Sequence, residues 1–336
     1  MIIQTIDIST QVMLIAEIGN NHEGNFNLAQ DMIKMAADSG ADAVKFQTFC
    51  ASRYVTTQDK KRFEQLKKYE LSYNQFELLA HTAEKNGLIF LSTPFDIESA
   101  DALEPFVPAY KISSGDNTFW PFINHIAQKG KPVILSTGLT TMSELEKAVS
   151  IISNNSPVKN IKDALVLLHC ISAYPADSKD LNLLSIQYLK DHFDVFTGYS
   201  DHAMGIDSCL AAVGLGARVI EKHFTYKKDG QTFKDHLLSA NPEEFKEMAS
   251  KTRAIEKMIG TYQKQPIEAE SPLFIAARRS IAARQDIPKG TRLDRSHIVW
   301  VRPGNGFKPG EEDLVIGRTL NKDIQAGTVF FEKDFE

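Results

Sequence analysis

The strongest constraint on the fold is a repeated alternation of short apolar runs and amphipathic stretches that continues up to about residue 260. The runs are rich in β-branched residues and predict strands, and the stretches between them have helical period, as at 27–38, 73–86, 141–153 and 242–259. The predicted strands are 12–18, 43–47, 88–92, 109–112, 132–136, 164–169, 195–198 and 218–222. Eight such βα units predict a (β/α)8 barrel of the TIM type. A doubly wound sheet stays possible, because periodicity does not report whether a sheet closes.

The chain changes character after the last predicted helix. A polar stretch with Pro266 and Pro272 indicates a linker, and the sequence beyond it contains an internal repeat. The segment 286–293, DIPKGTRL, is echoed by 323–330, DIQAGTVF. Two copies of a turn-then-strand unit predict a compact β-rich module with pseudo-twofold symmetry. We therefore predict a barrel over 1–262, a linker over 263–276 and a small β-rich domain over 277–336.

Composition excludes several classes of protein. The formal net charge is −5, which argues against a general nucleic-acid surface. Three scattered cysteines form no CxxC pair, as is usual in a reducing compartment. The first residues lack a basic leader and no apolar run reaches 18 residues, so a cytoplasmic protein without a membrane partner is expected.

Polar residues end every predicted strand, and in a (β/α)8 barrel these ends form the active-site face. Carboxylates there, Glu17, Glu23 and Glu221, are candidate acid or base groups. Three lysines and several hydroxyls are expected to ring the same mouth and to suit a carboxylate plus a phosphate. These residues are Lys45, Lys111 and Lys222 with Ser92, Thr93, Ser114, Ser136 and Ser200.

Two histidines end the last two predicted strands. His202 follows Ser200 and Asp201, and His223 follows Glu221 and Lys222. Neighbouring parallel strands deliver such side chains to one rim, so we expect His202 and His223 to hold a divalent metal ion.

These strand-end segments resemble the bacterial sialic acid synthases over essentially the whole chain. The matching motifs are AEIGNNHEG (16–24), KFQ (45–47), STPF (92–95), YKISSG (110–115), STG (136–138), GYSDH (198–202), EKHF (221–224) and RPGNG (302–306). The C-terminal piece resembles the antifreeze-like SAF domain of that family.

The resemblance implies condensation of phosphoenolpyruvate with an N-acylated hexosamine, typically N-acetylmannosamine, to a nine-carbon 2-keto acid and phosphate. It implies Mn²⁺ or Mg²⁺ on His202 and His223 and an acid–base role for Glu17 or Glu221. The implied phosphoenolpyruvate contacts are Lys45, Thr93, Lys111, Ser114, Ser136 and Ser200. The implied sugar contacts include Glu17 and Glu221 with Gln47, Tyr174, Asp235 and Arg302.

The resemblance further implies a domain-swapped homodimer in which Arg302 reaches the partner's sugar. Three positions depart from the usual pattern, Ser172, Asp116 and the segment 233–236, and two of them lie near the implied substrates. A legionaminic or pseudaminic acid synthase, taking a 2,4-diacetamido-6-deoxy sugar, is therefore an alternative. A 3-deoxy-ulosonate phosphate synthase should lack the C-terminal repeat, and a non-catalytic saccharide-binding protein should tolerate loss of the polar strand ends.

Overall fold

The computed structural model describes residues 1–231 and 233–336, and the chain divides into two compact units, Met1–Gly260 and Thr261–Glu336. The first unit contains eight parallel strands. They are β1 (Met13–Gly19), β2 (Ala43–Thr48), β3 (Ile89–Pro94), β4 (Tyr110–Ile112), β5 (Val133–Ser136), β6 (Leu165–Cys170), β7 (Phe196–Asp201) and β8 (Val219–His223). A two-stranded hairpin, Ile2–Ile3 with Ile6–Asp7, precedes them.

The strand order confirms the barrel. Hydrogen bonding runs β3-β2-β1-β8-β7-β6-β5-β4, so the last strand pairs with the first. In that pairing Val219 is level with Met13 and His223 is level with Glu17. The two end strands of this order, β3 and β4, also lie side by side. A doubly wound sheet would leave them at opposite edges, so that alternative is wrong.

Helices follow the strands and cover the outside of the barrel. Where their first turns are exposed, side chains satisfy the free backbone amides, as in the capping boxes Ser72/Gln75 and Asn241/Glu244. The longer helices are Phe26–Asp38, Lys60–Tyr69, Tyr73–Lys85, Ile97–Leu103, Trp120–Gln128, Met142–Asn155, Ser185–Phe193, Asp207–Gly214 and Pro242–Ile259. Single-turn helices are Ala51–Tyr54, Ile161–Ala164 and Asp235–Leu238.

Side chains along each barrel strand alternate between two buried layers. One layer packs against the helices, and the other fills the barrel interior. Met13 and Ile15 of β1 belong to the interior cluster, which makes Glu17 the next inward residue. In the same way Val219 of β8 points inward, and Glu221 and His223 follow it at the carboxyl end. This inward and outward alternation decides which polar residues meet inside the barrel mouth.

The second unit contains the predicted repeat as two paired copies. Ile287 and Ile324, which occupy the same place in the two copies, exchange both backbone hydrogen bonds at 2.8 and 2.9 Å. The aspartates that precede them make equivalent contacts across the pair: Asp323 accepts a hydrogen bond from the Lys289 amide, and Asp286 accepts one from the Ala326 amide. Two antiparallel strands, β9 (Ser280–Ala283) and β10 (Ile298–Val301), and a helix Leu273–Ala277 complete the unit. Its own core includes Ile281, Ile298, Phe330 and Phe335.

Among the described residues, no helix combines the length and the apolar character needed to span a bilayer.

Candidate active site

A cavity of about 340 Å³ opens at the carboxyl ends of the barrel strands. Its wall is polar at the base and partly aromatic toward the rim. The lining side chains are Glu17, Asn20, Lys45, Gln47, Tyr54, Arg62, Thr93, Phe95, Lys111, Ser113, Ser114, Leu139, Cys170, Ser172, Tyr174, Ser200, His202, Glu221, His223, Phe233, Lys234 and Asp235, together with Gly115. Of the fourteen site residues that the family resemblance implied, twelve are in this wall; Ser136 and Arg302 are not among the lining residues.

Two buried lysines supply positive charge at the base of the cavity. Lys45 Nζ lies 2.8 Å from Thr93 Oγ1 and 2.7 Å from Glu17 Oε2. Lys111 Nζ donates to Ser136 Oγ at 2.7 Å. Ser136 is therefore held behind Lys111 and acts on the cavity through that lysine. The two ammonium groups, with hydroxyls beside them, can hold a phosphate or a carboxylate.

The loop after β5 approaches the cavity closely enough to require glycine. A Cβ at Gly138 would lie 2.7 Å from Ser114 Oγ and 2.5 Å from Ser172 Oγ. The Gly138 amide already donates to Ser114 Oγ at 3.1 Å. Ser114 and Ser172 belong to the cavity wall, so a side chain at 138 would displace the hydroxyls that can bind a small anion there.

The two carboxylates have opposite titration behaviour. Burial raises the pKa of Glu17 to about 7; Lys45 opposes this rise and Glu221 adds to it. Burial also opposes ionisation of Glu221, but Lys111 and Lys45 outweigh it and lower the pKa of that carboxyl. Ser200 donates to Glu221 Oε1 at 2.8 Å, which further favours the charged form. A carboxyl that titrates near neutral pH beside one that stays ionised suits acid–base chemistry.

The two histidines converge on one side of the cavity, with ring centroids 5.4 Å apart. His202 Nδ1 donates to the Ile171 carbonyl at 2.7 Å, which leaves Nε2 free for a ligand. Burial lowers the pKa of both His202 and His223, so the imidazoles are held in the neutral form that binds metals.

The donors present fit a divalent ion bound by two imidazoles. Nδ1 of His223 is buried and has no hydrogen-bond partner among the described residues, which is costly unless it gains one. Within the residues that the structure describes, no set of three or more His, Cys, Asp or Glu side chains is arranged around one point. An ion held by His202 and His223 would therefore complete its coordination with water or substrate oxygens.

Two strand residues expected at the mouth face outward, and Glu23, in the loop after β1, lies against His236 and is not in the cavity wall. Lys222 is buried on the outer side of β8, where its Nζ pairs with Asp201 at 2.7 Å. Ser92 points away from the interior and shares a hydrogen bond with Thr48 at 2.7 Å. Both expectations were wrong for one reason: Lys222 alternates with the inward Glu221 and His223, and Ser92 with the inward Thr93.

Three of the remaining proposed residues, Gln47, Tyr174 and Asp235, line the cavity. Gln47 donates to Glu17 Oε1 at 3.2 Å and accepts from Asn20 Nδ2 at 2.8 Å. The Tyr174 ring is 4.1 Å from the His202 ring between centroids. Asp235 reaches the wall from the loop after β8. Arg302 belongs to the second unit, where it precedes Pro303 just after β10.

Sequence reasoning missed an aromatic and basic part of the wall. Tyr54 and Phe95 stack with centroids 4.4 Å apart, and Phe233 packs edge-on against Tyr69. Arg62 and Lys234 bring cations to the same side. These residues come from the long segments after β2, β3 and β8. The sequence contained no signal for Tyr54 and Arg62, since such residues in long segments look like ordinary loop packing. Phe95 belongs to the STPF motif, and Phe233 and Lys234 belong to the divergent segment 233–236, but neither pattern assigned these side chains a role.

The NeuB family model matches residues 32–264, and the SAF domain model matches residues 278–336. The chain belongs to the NeuB family.

Proteins of this kind match along almost their full length. An uncharacterized protein of Methanocaldococcus jannaschii is 41% identical over 96% of this chain and 94% of its own. The N,N'-diacetyllegionaminic acid synthase of Legionella pneumophila is 39% identical over 98% of this chain and 96% of its own. The crystal structure of a sialic acid synthetase from Leptospira borgpetersenii superposes with a TM-score of 0.74 at 37% identity, over 78% of this chain and 90% of that one. The chain is thus a member of a family of nonulosonic acid synthases.

Proposed function

We propose that this protein condenses phosphoenolpyruvate with the aldehyde of an N-acylated hexosamine, giving a nine-carbon 2-keto acid and phosphate. The observation that carries the proposal is one cavity with two chemically distinct sides. Lys45, Lys111 and Ser114 provide an anion site, and His202 with His223 provides a pair of neutral imidazoles. An enol phosphate and a polarised aldehyde need these two environments next to each other.

The chemistry can be assigned to groups of this chain. Carbon 3 of the enol phosphate attacks the aldehyde carbon, a C–C bond forms as the C=O π bond breaks, the aldehyde oxygen takes a proton, and carbon 2 becomes oxocarbenium-like. Water adds at carbon 2 with loss of a proton. The resulting hydroxyl then loses its proton to form the keto group as the bond between carbon 2 and the phosphate oxygen breaks. Glu17, with its pKa near 7, suits a group that exchanges a proton during these steps. The ionised Glu221 suits stabilisation of the positive centre.

A divalent ion, Mn²⁺ or Mg²⁺, would be held by His202 and His223, and when bound it would polarise the sugar aldehyde as a Lewis acid. Lys45, Thr93, Lys111, Ser114 and Ser200 would bind phosphoenolpyruvate, with Ser136 fixing Lys111. Gln47, Tyr174 and Asp235 would contact the sugar. A homodimer in which Arg302 of one subunit completes the sugar site of the other, located in the cytoplasm, is part of the proposal.

N-acetylmannosamine is the first candidate sugar. A 2,4-diacetamido-6-deoxy sugar is the second, and the aromatic side chains Tyr54, Phe95 and Phe233 favour it, because aromatic surface suits the additional methyl groups of such a sugar. The similarity to a legionaminic acid synthase points the same way.

The test is a phosphate-release assay with phosphoenolpyruvate and a panel of sugars, with and without Mn²⁺. The panel contains N-acetylmannosamine, its 6-phosphate and the two diacetamido-trideoxy sugars that lead to legionaminic and pseudaminic acids. We expect one sugar to give metal-dependent release, and His202→Ala or His223→Ala to abolish it. His81→Ala is the matched control, since His81 is exposed on the helix Tyr73–Lys85. Metal-independent release, or full activity of both histidine variants, would overturn the metal assignment.

A further inference from the structure

The loop after β8 carries Asp235 to the cavity. Asp235 begins the single-turn helix Asp235–Leu238, and its side chain is half-buried in the cavity wall. Burial raises the pKa of this carboxyl, against the attraction of Lys234 and Arg62. A single-turn helix does not fix a side chain by itself, because one turn of helix has little stability of its own.

The next residue, His236, is buried and makes its contacts away from the cavity. Its Nδ1 lies 2.6 Å from Thr225 Oγ1, and its Nε2 lies 3.3 Å from Glu23 Oε1. Burial lowers the pKa of His236, so the ring is neutral and carries one N–H. With Nε2–H toward the Glu23 carboxylate, Nδ1 accepts from the Thr225 hydroxyl. The imidazole therefore joins the start of its own loop to the loop after β1.

The loop after β1 is itself firmly held, so it can serve as an anchor. A Cβ at Gly24 would lie 2.2 Å from the Lys68 carbonyl oxygen, and Gly24 has a φ of +82°. Asn21 Nδ2 donates to the Phe224 carbonyl at 2.8 Å and to Ser239 Oγ at 2.9 Å.

The same anchor reaches the backbone of Asp235 from the other end of the short helix. Ser239 Oγ accepts from Asn21 and donates to the Asp235 carbonyl at 2.6 Å. Asp235 is thus held on both sides, at its carbonyl through Ser239 and at the following residue through His236. Both paths lead to the loop that follows β1, the strand of Glu17.

We propose that His236 is a positioning residue for sugar recognition: clamped between Thr225 and Glu23, it holds the Asp235 carboxylate in the cavity at a fixed distance from Glu17. This inference rests on the proposed function, in which Asp235 contacts the sugar. His236 itself faces away from the substrate. Its effect is therefore expected in the affinity for the sugar and not in the handling of phosphoenolpyruvate.

The experiment measures kcat and both KM values for His236→Ala, Asp235→Ala and the double variant, using the panel sugar that the wild-type protein accepts. We expect His236→Ala to raise the sugar KM by about tenfold, which corresponds to about 1.4 kcal/mol of binding free energy, because the Asp235 carboxylate loses its fixed position. The KM for phosphoenolpyruvate should stay near the wild-type value. In the Asp235→Ala background the same change should add less than about twofold, since non-additivity marks residues that act as one unit.

Conservative variants separate positioning from general destabilisation. His236→Asn retains an amide that can pair with the Thr225 hydroxyl and should recover part of the sugar affinity. Glu23→Gln keeps the volume of the partner side chain, which is partly exposed, and should raise the sugar KM by a smaller factor than His236→Ala. Thermal unfolding of each variant and of the His81→Ala control verifies folding. If His236→Ala does not fold, Glu23→Gln and His236→Asn carry the test.

The outcomes are distinguishable. Equal changes in both KM values, full additivity with Asp235→Ala, or an unchanged sugar KM in the folded variants would overturn the positioning role while leaving the proposed function intact. Absence of phosphate release by the wild-type protein with every sugar would overturn both proposals.

Discussion

The ion pair of Lys222 with Asp201 allows a quantitative test of how the barrel mouth is built. Both side chains are at most 1% exposed, and Nζ lies 2.7 Å from Asp201 Oδ2. Asp201 Oδ1 also accepts hydrogen bonds from Tyr199 Oη at 2.9 Å and from the Ala203 amide at 3.0 Å. Lys222 further donates to the Ala203 carbonyl. The perturbation is Lys222→Met, which removes the charge and keeps most of the stem.

The expected magnitude follows from what the substitution leaves behind. Removing one partner of a buried ion pair costs about 3–5 kcal/mol, because the other charge stays buried without compensation. Asp201 keeps its other donors, so we expect the lower end, about 3 kcal/mol. With an unfolding entropy of roughly 2.1 cal/mol/K per residue, this corresponds to a fall in Tm of about 4–6 °C.

The assay is thermal and urea unfolding of Lys222→Met beside Lys246→Met, an exposed lysine on the helix Pro242–Ile259. The double variant Lys222→Met with Asp201→Asn should recover part of the loss, since it removes both charges. The KM for phosphoenolpyruvate should stay near the wild-type value, because this ammonium faces away from the cavity. A stability loss under about 1 kcal/mol, or a large rise in that KM, would refute the reasoning.

Three further changes test other parts of the site and fold. Lys111→Met should raise the Kd for phosphoenolpyruvate at least about tenfold in calorimetric titration, since a charge-assisted hydrogen bond contributes about 1.5–3 kcal/mol; an unchanged Kd would exclude Lys111 from the anion site. Gly138→Ala should weaken the same binding, because its Cβ would lie 2.7 Å from Ser114 Oγ, and equal affinity would contradict the close approach. Asp96→Ala should cost about 1–2 kcal/mol of stability at pH 7, because Asp96 caps the helix Ile97–Leu103. Burial opposes ionisation of Asp96, but hydrogen bonds from the Ser99 hydroxyl and amide outweigh it and lower the pKa of the carboxyl. The stability contributed by the ionised cap is therefore present above the unfolded pKa of about 3.9 and is lost as the pH falls through the folded pKa. A stability difference between variant and wild type that grows toward low pH would contradict this pH dependence.

The fold was largely predictable because buried barrel strands appear in the sequence as short apolar runs. The predicted strand at 43–47 lies within β2, and the predicted strand at 132–136 covers β5. Closure could not be read from periodicity, and it became visible in the pairing of β8 with β1. The C-terminal repeat was predictable because its two copies share a sequence pattern. In the structure the equivalent residues Ile287 and Ile324 of the two copies pair with each other.

The site was predictable only where the inward and outward alternation of side chains along each strand was taken into account. Glu221 and His223 alternate along β8, so both face inward, and the same alternation turns Lys222 outward. Counting alternate residues along β8 would have shown, from the sequence alone, that Lys222 does not face the cavity. The contributions of Arg62 and Phe233 depend on how long loops fold back over the barrel, and no local pattern encodes that path.

The central claim is tested most directly by following phosphoenolpyruvate, phosphate and product mass in one reaction with the sugar panel and Mn²⁺ or Mg²⁺. The account predicts that one N-acylated hexosamine gives phosphate in equal amount to a new nine-carbon 2-keto acid, whose mass is that of the sugar plus pyruvate. It predicts loss of both signals when the metal is chelated. Phosphate release without the condensed product, or no reaction with any sugar and either metal, would contradict it.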